Sequence, residues 1–156
     1  MRLLVVSDSH GNDGTLFKAH GLAGSVEAVI HTGDGEQDAQ LLALTMGVTV
    51  LRVAGNCDHG STAPRELLVT LAGRQVLITH GDRYGVKAGL EPLIAHGREL
   101  GAELILFGHT HQALTEQRHG IHLLNPGTLW GRAPFLSYAI LDLTPDGILT
   151  TIHRLE

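Results

Sequence analysis

Seven residues of metal-ligating type stand just past short apolar runs in this 156-residue sequence: Asp8, His10, Asp34, Asn56, His80, His109 and His111. A single histidine at a strand end is ordinarily a hydrogen-bonding residue with no further role. Seven carboxylate, amide and imidazole side chains at five strand ends are harder to dismiss, because each would have to be a separate polar accident. The mixture of oxygen and imidazole donors suits Mn²⁺, Fe²⁺, Zn²⁺, Co²⁺ or Ni²⁺ better than Ca²⁺ or a thiolate-rich zinc site. Residues i and i+2 of an extended chain point to one side, so Asp8 and His10 can reach one ion. His109 and His111 share that spacing, and a small shift at the strand end directs them to two neighbouring ions instead. Gly11, Gly33, Gly55, Gly81 and Gly108 beside them allow sharp turns and leave room for a ligand.

The elements that must position these residues follow from the apolar pattern. Leu3 to Val6 is a β-branched run consistent with a strand buried on both faces. Asn12 or Asp13 can cap a helix running through Leu16, Phe17 and His20. A strand over Val26 to Ile30, a helix from about Gln37 to Met46 and a strand from Val48 to Val53 complete a β-α-β-α-β order. Polar residues stand at each strand's carboxyl end, as in a parallel sheet with its functional crevice there. Glu66 to Leu71 and Gln75 to Thr79 read as a hairpin leading into His80. A helix from about Lys87 to Leu100 and a buried strand from Glu103 to Phe107 follow. Ala113 to Arg118, Ile121 to Leu124, Leu136 to Asp142 and Ile148 to His153 read as strands, with turn chemistry at Asn125-Pro126-Gly127 and Pro145-Asp146-Gly147. The expectation is one α/β domain over residues 1–156, with two sheets face to face and helices outside.

Composition narrows the function classes. A net charge of −5 with no Lys/Arg cluster argues against general nucleic-acid binding. One cysteine, Cys57, rules out an intrachain disulfide. The apolar stretch after Met1 is too short for a signal segment or a membrane span, so a cytoplasmic location is expected. Of the 11 histidines, His20, His96, His119, His122 and His153 lie among polar neighbours and read as surface or structural residues.

Asp8-x-His10, Gly33-Asp34, Gly55-Asn56-Cys57-Asp58, His80-Gly81 and Gly108-His109-x-His111 resemble, in order and spacing, the motifs of the calcineurin-like metallophosphoesterases. The small bacterial and archaeal phosphodiesterases of that superfamily are the nearer likeness. Asn125-Pro126-Gly127-Thr128 is similar to a segment that follows the paired histidines in the subgroup, so the resemblance runs from Met1 to Thr128. It implies a two-sheet β-sandwich flanked by helices, layered α/β/β/α, with the metal site at the carboxyl ends of the strands. It also implies a two-metal centre, with Mn²⁺ favoured. Asp8, His10, Asp34 and His111 would hold one ion; Asp34, Asn56, His80 and His109 would hold the other, with Asp34 bridging and Asp34, Asn56 and His109 serving catalysis.

Two such ions ~3.5–4 Å apart clamp a phosphoryl group and generate a hydroxide nucleophile at neutral pH. Their four positive charges less those of Asp8 and Asp34 leave about two to stabilise the transition state. The expected activity is hydrolysis of a small phosphate diester by a metal-bound hydroxide. A phosphomonoesterase on the same site is the first alternative, disfavoured by the lack of a basic cluster. The second is a protein-interaction scaffold, as for the retromer subunit of this fold, but none of the seven positions is replaced. A homodimer through exposed strand or loop surfaces is compatible with either.

Several neighbours have two readings each. Many superfamily members carry a histidine after the metal-binding asparagine; here Cys57 stands in that place. It is either a weak general acid or a small buried residue, and His59 is a substitute acid. Asp58 is expected to fix its loop or to hydrogen-bond a ligand. His31 reads as a half-buried strand histidine or a partner to a ligand. Asp82 and Arg83 form a solvated turn or face substrate. Trp130 is a rim aromatic or a stacking surface for a base or aryl group. With no strong acid in place, esters with good leaving groups are the expected best substrates.

Overall fold

The apolar run of the first strand is used on both sides. In the computed structural model, which describes all 156 residues, β1 (Arg2–Val6) turns Leu3 and Val5 into one core and Leu4 and Val6 into another. A strand buried on both faces demands a layer above and below, and the rest of the chain supplies them. The order continues α1 (Asp13–Ala23), β2 (Ala28–His31), α2 (Glu36–Met46) and β3 (Val50–Arg52). Then come β4 (Glu66–Leu71), β5 (Arg74–Thr79), α3 (Glu91–Glu99) and β6 (Leu104–Leu106). The chain closes with β7 (Leu114–Arg118), β8 (Ile121–Asn125), β9 (Leu136–Thr144) and β10 (Gly147–Leu155).

Two five-stranded sheets result, ordered β10-β9-β1-β2-β3 and β4-β5-β6-β8-β7. In the first, β1, β2 and β3 are parallel; in the second, β5, β6 and β8 are. Leu3, Val5, Ile30, Ile78, Leu104 and Leu141 meet between the sheets. Leu16, Ala19 and Leu42 cover the first sheet's outer face from α1 and α2, and Leu93 and Ile94 of α3 cover the second. The layering is α/β/β/α, and the carboxyl ends of the two parallel triplets carry the ligand-type residues. No helix is long and apolar enough to cross a membrane.

Local differences from the expected elements have physical causes. The helix expected from Lys87 starts at Glu91, because the chain first makes a 3-10 turn over Asp82–Tyr84 that ends on Gly85 in the left-handed region. Pro92 then occupies the first turn of α3, where its missing N–H costs nothing. Asn12 takes the N-cap position of α1 but does not cap it; its Nδ2 donates to the Leu129 carbonyl at 3.0 Å instead. β3 spans only Val50–Arg52 rather than Val48 to Val53.

The extended geometry expected for Asp8 and His10 is also overturned. Asp8, His10, Asp34, His109 and His111 all have positive φ, between +48° and +68°. The other two non-glycine residues of this kind, Ala72 and His119, precede glycines in the two-residue turns of the β4-β5 and β7-β8 hairpins. Left-handed backbone costs an L-residue about 1–2 kcal/mol, and it persists only where surrounding contacts enforce it.

Those contacts are visible. The Asp58 carboxylate accepts four backbone N–H groups: Asp34 at 2.7 Å, Gly55 at 2.7 Å, Gly35 at 2.9 Å and Glu36 at 3.0 Å. It ties the loop after β2 to the loop after β3, which is the loop-fixing role expected of it. Asn125 Nδ2 donates to Gly108 O and Thr110 Oγ1, both at 3.0 Å, and Thr128 Oγ1 donates to Asp8 O at 3.0 Å. Replacing Asp58 with Ala strips four donors of an anionic acceptor at once. The expected cost is about 2–4 kcal/mol, read as a lower urea midpoint at constant slope. A midpoint equal to that of the wild type would mean the loops hold their shape without the clasp.

Candidate metal centre

Six loops meet on one rim, because both parallel triplets point the same way. β1 leads to Asp8 and His10, β2 to Asp34, β3 to Asn56, β5 to His80, β6 to His109 and His111, and β8 to the Asn125–Thr128 segment. Backbone bonds knit the loops together: Asp8 N donates to Gly33 O at 3.0 Å, His10 N to Asp34 O at 2.9 Å and Gly108 N to His80 O at 3.0 Å. Gly108 is required for this approach, since a Cβ there would collide with Ser7 Oγ and Asp8 Oδ2.

The two carboxylates at the centre are buried, and each is divided in the same manner. Asp8 Oδ2 accepts from Ser7 Oγ and, at 3.1 Å, from His109 N–H. Its Oδ1 has no hydrogen-bond partner; it faces His111 Nε2 at 3.0 Å, His10 Nε2 at 3.6 Å and His80 Nε2 at 3.9 Å. Asp34 Oδ1 accepts from Cys57 N–H at 2.7 Å. Its Oδ2 faces His80 Nε2 at 3.3 Å and His10 Nε2 at 3.8 Å.

Asp8, His10 and His111 thus form one group of converging donors, and Asp34, His80 and His109 form another, each with its ligand atoms within 4.8 Å of one another. Asp34 lies between the groups. His10 Nε2 is a second buried atom without a partner. Two orphaned atoms, Asp8 Oδ1 and His10 Nε2, within a convergent set of carboxylate and imidazole donors fit divalent transition metals.

Supporting bonds fix the imidazoles in the needed form. His80 Nδ1 must donate to the Thr32 carbonyl at 2.9 Å, which frees its Nε2 lone pair for a cation. His109 Nδ1 lies 3.2 Å from that Nε2, so the two nitrogens aim at shared space. His31 is fully buried rather than half-buried. Its Nδ1 accepts from Gly33 N–H at 3.2 Å, so Nε2–H donates to Ser9 Oγ at 3.0 Å, and Ser9 in turn donates to Asp38 Oδ2 at 2.6 Å. Asp38 Oδ2 also holds Gly11 N–H at 2.9 Å. This Ser-His-Asp set therefore serves the loops, since the serine proton is directed at the aspartate rather than the imidazole.

The protonation equilibria reflect the crowding. Burial alone would raise the Asp8 carboxyl, but His10, His111, His80 and Ser7 outweigh it and hold the group far below the usual carboxylate range. Asp34 is likewise opposed by burial, yet His80 and the Cys57 N–H bring it to about 2. His10 is raised chiefly by Asp8; His80 is raised by Asp34 and Asp8 against the effect of its burial. Burial, with His80 and Lys87 nearby, lowers His109, and burial lowers His31.

A cavity of about 190 Å³ opens over the centre, walled by His10, Asp34, Asn56, Lys87, His109 and Trp130 among others. Asn56 stands on its exposed rim, with its amide donating to Cys57 Sγ at 3.5 Å. Cys57 is exposed rather than buried, which corrects one of its two readings. Its thiol is pushed up by partial burial and by Asp34, so it stays protonated at neutral pH. Asp82 pairs with Arg65 at 2.6 Å and does not face the cavity. Arg83 is exposed on the 3-10 turn, and His59 lies on an adjoining surface. Trp130 is a rim aromatic, its ring 5.6 Å from His10 and 5.7 Å from His111. Lys87 went unnoticed in the sequence because nothing local distinguishes it; Ser7 and Ser9, each beside Asp8, had only their adjacency as a signal.

Similar proteins identify the family and the fold. The family model for the calcineurin-like phosphoesterase superfamily domain matches residues 1–146. YsnB of Bacillus subtilis (strain 168), a probable metallophosphoesterase, is 39% identical over 153 residues, covering 94% of this chain and 86% of that protein. Among solved structures, Vps29 of Entamoeba histolytica complexed with Zn²⁺ superposes with a TM-score of 0.81 at 21% identity, covering 99% of this chain and 98% of that one. A novel archaeal phosphodiesterase gives 0.78 at 20% identity, covering 98% and 100%. The last two are likenesses of fold. The sandwich, its buried carboxylates and the match over residues 1–146 lead to one conclusion: this chain belongs to the calcineurin-like phosphoesterase superfamily.

Proposed function

We propose that this protein is a metal-dependent phosphodiesterase acting on a small phosphate diester. Asp8, His10 and His111 with Asp34 would hold one divalent cation; Asp34, His80 and His109 with Asn56 would hold a second. The observation that carries this reading is the division of the two buried carboxylates, each with one oxygen committed to protein donors and one turned to imidazole nitrogens. Divalent cations in such a site, with Mn²⁺ favoured, supply charge neutralisation at phosphoryl oxygens and activation of water.

The chain's own residues do the rest. Lys87 on the cavity wall attracts the anionic ester. It is a single ammonium rather than a cluster, which suits the one charge of a diester better than a dianionic monoester. Asn56 on the rim offers an amide to the phosphoryl group or the cation. Cys57, kept neutral, is the one exposed proton source beside Asp34, and a thiol is a poor acid for an alkoxide leaving group. The fold likeness to an archaeal phosphodiesterase supports diester over monoester chemistry.

Metal-stripped protein is expected to leave bis(p-nitrophenyl) phosphate intact, and Mn²⁺ to restore turnover. Asp34→Asn lowers the restored rate more than ~100-fold. Inertness with every divalent metal tried, towards p-nitrophenyl phosphate as well, would remove the hydrolase reading.

Proton competition gives a second expectation. Asp8 and Asp34 hold His10 and His80 above the ordinary imidazole value, and a cation must displace those protons. Affinity for metal therefore climbs as pH rises through the raised titrations and then levels off. In the metal-free protein the same protons stabilise the fold fully below about pH 6.5, and that contribution fades as pH rises through the folded values. Calorimetric titration in two buffers of different ionisation enthalpy measures the protons released. Binding that is pH-independent between ~6 and ~8 contradicts the account.

A further inference from the structure

Two larger cavities flank the central one, and their walls differ in charge. One, of about 340 Å³, is lined by Asp34, Glu36, Asp38 and Asp58 and by no lysine or arginine. The other, of about 600 Å³, is lined by Arg132 and Arg154 and by no carboxylate. It shares His111 and Trp130 with the central cavity, so a molecule held at the metal centre reaches it directly. Its apolar wall is built from Trp130, Pro134, Phe135 and Ile152.

Two features of this wall stay open to a ligand. Phe135 is 63% exposed, and the Arg154 guanidinium lies 3.8 Å from its ring centroid. Arg2, Arg52, Arg65, Arg74 and Arg118 pair with carboxylates; Arg83, Arg98, Arg132 and Arg154 do not, and of these four Arg132 and Arg154 converge on this cavity, in a chain of net charge −5. An uncompensated cationic pair beside exposed aromatic faces is the combination that holds a flat anionic ligand.

We infer that this cavity binds one ester arm of the diester, and that the arm is a flat aromatic ring bearing a further anionic group, as in a nucleotide. The ring lies against Trp130 and the face of Phe135 that Arg154 leaves open, and the added anion meets Arg132 and Arg154. The acidic cavity on the opposite flank repels such an arm, so electrostatics orients the ester: ringed arm towards Phe135, other arm towards Asp38. This assignment rests on the phosphodiesterase reading and names the kind of diester that it takes.

Three esters with the same p-nitrophenolate leaving group test it on Mn²⁺-loaded protein: methyl p-nitrophenyl phosphate, thymidine 5′-(p-nitrophenyl phosphate) and its 3′-phosphorylated form. KM is expected to fall along that series. Phe135→Ala, at an exposed position that does not threaten folding, lowers kcat/KM for the thymidine ester relative to the methyl ester about tenfold. Arg132→Ala with Arg154→Ala removes the advantage of the 3′-phosphate. Equal KM values for the three esters, or variants that slow all of them by one factor, overturn the assignment while leaving the hydrolase intact.

Trp130 is the sole tryptophan, so its emission reports occupancy without turnover. Thymidine 3′,5′-bisphosphate is expected to quench it saturably, and the Arg132→Ala, Arg154→Ala double variant to weaken that binding about tenfold. Saturable, arginine-dependent quenching in a protein that hydrolyses no ester would keep the cavity's ligand and reject the phosphodiesterase. Active protein with no such quenching would do the reverse.

Discussion

Two carboxylates with negligible exposure, Asp8 and Asp34, face the same few imidazoles, and the rest of the structure depends on keeping them there. Burying like charges together is costly unless cations compensate them. In the metal-free chain, protons on His10 and His80 partly supply that compensation, which is why both imidazoles hold protons more tightly than usual. Asp8 Oδ1 and His10 Nε2 have no partner within the protein, and a divalent ion held there would satisfy both with greater charge than a proton. Removing one carboxylate oxygen from play through Ser7, His109 N–H or Cys57 N–H also matters. It leaves each aspartate a single outward-facing donor and fixes the direction in which it is offered.

The fold answers a geometric demand set by that arrangement. Donors from five loops must converge within a few ångströms, and no single strand or helix can present them. Facing two parallel triplets across one core brings six carboxyl ends to one rim. Even so, the chain must turn back sharply at Asp8, His10, Asp34, His109 and His111, each of which takes a left-handed conformation unfavourable to a side chain. The strain is offset by contacts remote in sequence: Asp58 across the β2 and β3 loops, Asn125 on Gly108 and Thr128 on Asp8. Rigid sheets and strained, clasped loops are thus one design, in which the sandwich core supplies the stability that the rim consumes.

This division also explains what could be read from the sequence. Strand positions and the ligand-type residues were legible because both are local: an apolar run with the right period, then a histidine or aspartate beside a glycine. Asp8 and His10 converge through left-handed turns and not along an extended strand, so the i, i+2 spacing is not what brings them together. Anything set by distant contacts stayed hidden. Asn12 looked like a helix cap because only Leu129, more than a hundred positions away, gives its amide another partner. Cys57 looked buried because nothing local shows that its loop folds outward over the site. His31 lies in a run whose burial depends on α2 and the Ser9 loop, and its complete enclosure followed from their packing.

The uneven distribution of charge resolves the apparent conflict between an acidic chain and an anionic ester. Much of the negative charge near the centre is already spoken for: Asp58 by four backbone N–H groups, Asp38 by Ser9 and Gly11, Glu36 by Arg52 and Ser61. These carboxylates hold the loops, and they lie on the α2 flank. The opposite flank presents Arg132 and Arg154 without acidic partners, and Lys87 stands on the central wall. A gradient from acidic to basic therefore runs across the rim, through the point where cations would sit. Net charge is a poor guide to such a surface, because an approaching ester responds to the field inside a cavity a few ångströms wide. The acidic residues around the centre hold its loops, and three basic residues without carboxylate partners, Lys87, Arg132 and Arg154, line the space where substrate would lie.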